Sequence, residues 1–206
     1  MYLSRVQIDT NNRQKLQDLT HLGAYHGWVE SCFSYTDNDR PRNLWRIDRL
    51  NHRDYLLLLS PNQPNLKRLS TYGVPHTAQT KSYDTFLTNL DPNRRYRFRL
   101  TANPSHHDGD KIYPHVTVAQ QKQWLLKQQD SHGFVIPNNQ FDITSRGYKN
   151  LIHAPRKTPI RLSQVTFEGI LSISDLKLFT HTLTHGIGRE KAYGMGLMTV
   201  IPVQRG

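Results

Sequence analysis

Arg95-Tyr96-Arg97-Phe98-Arg99-Leu100-Thr101 alternates without a break, Tyr96, Phe98 and Leu100 to one side and three arginines to the other. A period of two is the mark of a strand with one buried and one solvated face. Its place in the chain decides the fold. It begins, for a second time, a pattern that residues 2–83 have already run through.

Back toward the start, Tyr2–Ile8 alternates less strictly through Leu3, Val6 and Ile8 and reads as a first strand. Asp9-Thr10-Asn11-Asn12 supplies capping side chains. Arg13–Phe33 then has helical spacing through Leu16, Leu19, Leu22, Tyr25, Val29 and Phe33, with Gly23 the candidate interruption. The polar stretch from Asp37 to Asn43 is a loop. Leu44–Asp48 and Tyr55–Leu59 are strands about a polar turn. Asn65–Thr71 is a short helix and Ala78–Tyr83 a fourth strand. Beyond Thr101, Val118–Gln129 is helical, carries Trp124, Leu125 and Leu126, and stops at Gly133. Phe141–Ile152 reads as a hairpin and Leu162–Ile173 as an alternating strand. Ser174-Asp175 caps a helix through Leu176, Phe179 and Leu183 that Gly186 ends, and Met195–Val203 is the last strand. Each half has the order β-α-β-β-α-β of a ferredoxin-like unit. The expected fold is α+β, two tandem ferredoxin-like domains with antiparallel sheets. They cover residues 1–88 and 95–206, either side of the Asn89–Asn93 turn.

The chain carries 27 Lys and Arg against 16 Asp and Glu over 206 residues, a formal net charge of +11. An excess of that size points to a polyanionic partner. No apolar run approaches the roughly 18–20 residues of a membrane span. Met1–Arg5 begins no apolar leader. Cys32 is the single cysteine, which excludes an intrachain disulfide and a cysteine metal cluster; a reducing cytosol is the expected compartment.

The cations are grouped. Arg95, Arg97 and Arg99 share a strand face; His153, Arg156, Lys157 and Arg161 form a second group, Arg189 and Lys191 a third, and Arg40, Arg42, Arg46 and Arg49 a fourth. Singly, each group reads as a solvated face. Four in one small protein favour a phosphate backbone, which Arg can hold through two parallel hydrogen bonds. Gly186-Ile187-Gly188-Arg189-Glu190-Lys191-Ala192-Tyr193-Gly194-Met195-Gly196 follows a helix and precedes a strand, the reverse of a dinucleotide fingerprint. It reads either as a loop whose backbone amides approach phosphate or as a plain tight connection. The eleven histidines show no metal-ligand spacing. No metal or cofactor is expected, and composition does not single out His26 among the histidines.

Several segments together resemble the CasE family, CRISPR RNA-processing endoribonucleases of the RAMP superfamily that act in the type I-E Cascade complex. They are Met1–Val6, Leu22-Gly23-Ala24-Tyr25-His26 with Val29 and Phe33, and Leu44–Ile47. Further on come Arg97–Pro104, Trp124-Leu125, Val165–Leu171 and the glycine-rich run to Leu197. Each piece is weak alone; their order and spacing are specific, and the likeness runs almost end to end. It implies metal-independent cleavage of the CRISPR repeat hairpin in precursor RNA. The partners it implies are that RNA and the other Cascade subunits.

The resemblance places a catalytic histidine at His26. It departs at Gly23, where family members often carry tyrosine; Tyr25 stands beside the histidine instead and, with Lys157, joins the candidate catalytic set. Candidate RNA contacts are Arg97, Arg99, Arg156, Arg161, Arg189 and Lys191, with Gly186, Gly188, Gly194 and Gly196 shaping the loop. The implied chemistry is attack of a 2′-hydroxyl on its own 3′ phosphate, giving a 2′,3′-cyclic phosphate and a 5′-hydroxyl. His26 serves as general acid or general base, and Lys157 or Arg161 offsets phosphorane charge. The alternative on the same fold is a non-catalytic RNA-binding subunit.

Overall fold

The computed structural model describes residues 1–35, 40–152 and 158–204. The chain divides into two units, neither a single stretch. The first gathers Met1–Thr88, Lys149–Arg161 and Ala192–Gly194; the second gathers Asn89–Tyr148, Leu162–Lys191 and Met195–Gly206.

The first unit runs β1 (Tyr2–Gln7), α1 (Arg13–Asp18), α2 (Leu22–Ser31), β2 (Leu44–Leu50), β3 (Arg53–Ser60), α3 (Leu66–Leu69), β4 (Gln79–Ser82) and α4 (Asp84–Thr88). Its sheet has the order β2-β3-β1-β4, with every pair antiparallel. The first strand is therefore central, flanked by the third and fourth, as a ferredoxin-like unit requires. Registers Ser4↔Leu58↔Trp45 and Val6↔Leu56↔Ile47 put these side chains on one face. Tyr25 of α2 stacks on Trp45 of that face, and Val6, Leu56, Leu58 and Trp45 are almost wholly buried.

The expected single helix over Arg13–Phe33 is two. The break falls at 19–21 rather than at Gly23. Asn12 caps α1, accepting from the Gln14 and Lys15 amides, and the Leu19 N–H turns back to Leu16. His21 restarts the helix as its N-cap, Nδ1 accepting from the Ala24 N–H at 3.3 Å. The next turn's free amides thus find a side-chain partner two residues before the glycine.

The second unit contains β5 (Arg95–Ala102), β6 (Ser105–Asp108), β7 (Lys111–Pro114), α5 (Val118–Leu126), α6 (Gln129–His132), β8 (Phe134–Val135), β9 (Phe141–Leu151), β10 (Ile160–Ile173), α7 (Leu176–His185) and β11 (Met198–Pro202), the far end of β9 and the start of β10 passing into the first unit. The main sheet order, β11-β5-β10-β8, again places the first strand centrally. Tyr96, Phe98, Leu100, Phe167, Leu171, Met198 and Val200 fill its buried face with Phe179 and Leu183 of α7. Three features differ from expectation. Phe141–Ile152 forms no hairpin: Phe141–Leu151 is one eleven-residue strand whose partner is the fourteen-residue β10. A long partner satisfies its backbone without a turn at Gly147. The stretch 105–114 folds as a small hairpin around Gly109, which two alternating residues per arm are too few to announce. The helix over Val118–Gln129 is interrupted at 127–128, and α6 ends at Gly133 with φ 70°.

Candidate active site and cationic face

In the first unit, His26 lies on α2 and is partly exposed. Among the described residues neither ring nitrogen makes a hydrogen bond. Its ring meets that of Tyr193 edge to face, centroids 5.5 Å apart and planes at 65°. Tyr25 points elsewhere. It stacks on Trp45 at 5.9 Å and tilts against Trp28 at 6.4 Å. Burial first, then the Asp54 carboxylate, pushes its phenol above the usual tyrosine range. A phenol so placed keeps its proton at neutral pH. Gly23, where the resemblance leads one to look for tyrosine, has no room for one: an added Cβ would lie 2.6 Å from the Ile152 carbonyl oxygen. Tyr193 is the tyrosine at His26. Its signal was an aromatic in a loop with no helical or strand period to explain it.

Arg161 is exposed at the start of β10, in the same unit. Arg156 and Lys157 lie outside the described residues. Of the fourth basic group, Arg46 is not a surface cation. It is 2% exposed and grips Asp48 through both carboxylate oxygens, Nε at 2.7 Å and Nη2 at 2.8 Å.

In the second unit, the registers Arg97↔Ile170, Arg97↔Ile201 and Arg99↔Glu168 carry the arginine face of β5 across the sheet. Arg97 is exposed and makes no ion pair among the described residues. Arg99 is paired to Glu168, which also accepts from Thr144 Oγ1 at 3.0 Å.

The glycine-rich loop is closed at its base in the same unit. The Ile187 N–H donates to the Gly196 carbonyl at 2.9 Å, and the Gly196 N–H to Thr101 of β5 at 2.6 Å. Gly186, Gly188, Gly194 and Gly196 all have φ between 74° and 86°. Gly188 is needed twice over, because a Cβ there would also meet the Trp124 ring at 3.0 Å. Arg189 reaches His107 at 3.5 Å. Lys191 acts electrostatically on His132 and His181. His181 stacks on His185 with centroids 4.0 Å apart. Burial first, then His185 and Lys191, holds His181 below the ordinary imidazole range. Among the described residues no three His, Cys, Asp or Glu side chains are grouped to hold a metal ion, and no helix is long and apolar enough to cross a membrane.

Two ferredoxin-like units, a histidine on the second helix and a glycine-rich loop before the last strand define a tandem ferredoxin-like α+β protein. Within that class the chain belongs to the CRISPR-associated protein family, whose model matches residues 1–202. It is 26% identical over 216 residues to the CRISPR-associated endoribonuclease Cse3 of Thermus thermophilus, covering 98% of this chain and 100% of that protein. It matches the solved structure of Thermus thermophilus Cse3 bound to an RNA representing a pre-cleavage complex with a TM-score of 0.79, at 24% identity and over 98% of each chain. Cas6e of Escherichia coli matches with a TM-score of 0.69, at 23% identity over 98% of this chain and 100% of that one. These structural likenesses are likenesses of fold.

Proposed function

We propose that the chain is an endoribonuclease that binds the CRISPR repeat hairpin in precursor RNA and cuts at the hairpin's 3′ base without a metal. The observation that carries this is the end-to-end match to a protein named a CRISPR-associated endoribonuclease. The partly exposed imidazole of His26, without a hydrogen bond among the described residues, supplies the chemistry. The 2′-oxygen forms a bond to phosphorus as the bond from phosphorus to the 5′-oxygen breaks. One proton leaves the 2′-hydroxyl and one reaches the departing 5′-oxygen, leaving a 2′,3′-cyclic phosphate and a 5′-hydroxyl. His26 carries one of these transfers. Lys157 or Arg161 offsets charge on the phosphorane, and Arg156 contacts the RNA. Arg97, Arg99, Arg189 and Lys191 hold stem phosphates, since paired A-form RNA is read largely by shape and backbone. The processed RNA then stays bound within a multisubunit CRISPR complex in the cytoplasm.

Because protein groups move both protons, end-labelled repeat RNA should be cut in EDTA under single-turnover conditions. The 5′ fragment should end in a cyclic phosphate. A 2′-deoxy substitution at the scissile nucleotide should stop cutting and leave binding nearly intact. An absolute Mg²⁺ or Mn²⁺ requirement for the chemical step overturns the mechanism. Tight binding with no cutting makes the chain an RNA-binding subunit instead.

A further inference from the structure

His26 has no hydrogen bond among the described residues to fix its ring, yet proton transfer tolerates little misplacement. The group against it is Tyr193, and the backbone on either side of Tyr193 is anchored. Trp45 is 1% exposed, and its Nε1–H has one use, donation to the Ala192 carbonyl at 2.9 Å. On the other side, Gly194 lies so close to the same indole that a Cβ would approach its ring carbons at 2.6 to 2.9 Å. The indole is in turn stacked against Tyr25. Tyr25 and His26 are consecutive on α2, so one helix touches both the anchor and the ring it places. All of these residues belong to the first unit.

We propose that Tyr193 is a positioning residue for His26, seated by Trp45 through the backbone of Ala192 and Gly194. The tyrosine ring limits the rotation of the imidazole and leaves both its nitrogens free for proton transfer. Edge-to-face rings at this separation attract one another, so the contact favours one orientation over the other rotamers. This rests on the reading of His26 as the proton-transfer group.

The test is single-turnover cleavage of end-labelled repeat RNA by the full chain, with dissociation constant and melting temperature measured on each variant. Tyr193→Ala should cut about 10- to 100-fold more slowly with affinity little changed, the order expected when a reacting group is displaced by an ångström. Tyr193→Phe keeps the ring and should cut at close to the parent rate. Trp45→Phe keeps the stack but loses the donor to Ala192, and should fall between them. Should Tyr193→Ala fail to fold, Tyr193→Leu fills the volume without a ring and should be slow in the same way. A parental rate for the alanine or leucine variant overturns the proposal. So does a phenylalanine variant as slow as the alanine one, because the hydroxyl would then be the working group. His26→Ala runs alongside. If it cuts like the parent, the reading of His26 has failed and the proposal falls with it; if it is inactive while Tyr193→Ala is normal, only the positioning role has failed.

Discussion

Arg99 and Glu168 face each other across the β5–β10 pair, Nε at 2.9 Å and Nη2 at 2.7 Å from one carboxylate oxygen. Arg97, two residues earlier on the same face, has no such partner among the described residues. Arginines that alternate identically in sequence therefore carry different net charge to a ligand. Arg97→Ala should flatten the dependence of log Kd on log salt by roughly 0.7 to 0.9 if the residue contacts one phosphate. Arg99→Ala should weaken binding further if this face meets phosphate, since it also uncovers the Glu168 carboxylate beside Arg97. Adding Glu168→Gln should restore part of that loss. Binding titrations at several salt concentrations check all three variants, and equal effects of the two single variants would mean Glu168 does not matter.

His26 and His21 should separate rate from stability. His26→Ala should lower single-turnover cleavage about 10²- to 10⁴-fold, the usual cost of losing an acid–base group, with hairpin affinity within a few-fold. His21 is the N-cap of α2, so His21→Ala should cost on the order of 1 kcal/mol of stability and leave the rate nearly unchanged. Thermal melts and cleavage assays on both variants test the crossed pattern.

Glycine replacements should act in opposite directions at two sites. Gly27 is inside α2 with nothing within 4 Å of an added Cβ. Gly27→Ala should therefore raise the melting temperature, by about 0.5 to 1 kcal/mol in stability. Gly194 has φ +79° and lies against the Trp45 ring. Gly194→Ala should lower stability by about 1 to 3 kcal/mol, and should slow cleavage because it displaces Tyr193. A neutral Gly194→Ala would mean that the loop tip yields freely.

Stability should fall on acidification partly through His132. Its pKa is lowered, first by burial and then by Lys191 and His181, against an opposing contribution from the Gln128 carbonyl. The folded state resists a proton that the unfolded chain accepts. The contribution is thus absent at pH 8, where both forms are neutral. Stability is lost as pH drops through about 6.5, and the loss levels off below the folded value. Melting temperatures from pH 8 to 5 should decline less in His132→Gln than in the parent, and superimposable curves would exclude the contribution.

Much of this protein is legible in one dimension. Strand alternation in Arg95–Thr101 and Leu162–Ile173, the caps at Asn12 and Asp175 and the stops at Gly133 and Gly186 are local matters of backbone geometry and side-chain reach. A short window of sequence contains them, and the twofold β-α-β-β-α-β order follows. His26 is different in kind, since its surroundings do not distinguish it from ten other histidines and resemblance singled it out. Only the tertiary structure decided which tyrosine meets it. Tyr25 is adjacent in sequence, but α2 turns it onto Trp45; Tyr193, 167 residues on, arrives because the Ala192 carbonyl accepts the Trp45 indole N–H. The same holds for the cations. A run of arginines states how much charge is present, and only strand register, pairing Arg99 with Glu168 and leaving Arg97 without an ion pair among the described residues, together with the burial of Arg46 on Asp48, decides how much of it reaches solvent. Periodicity describes the side a residue faces, whereas partners distant in sequence are chosen by packing.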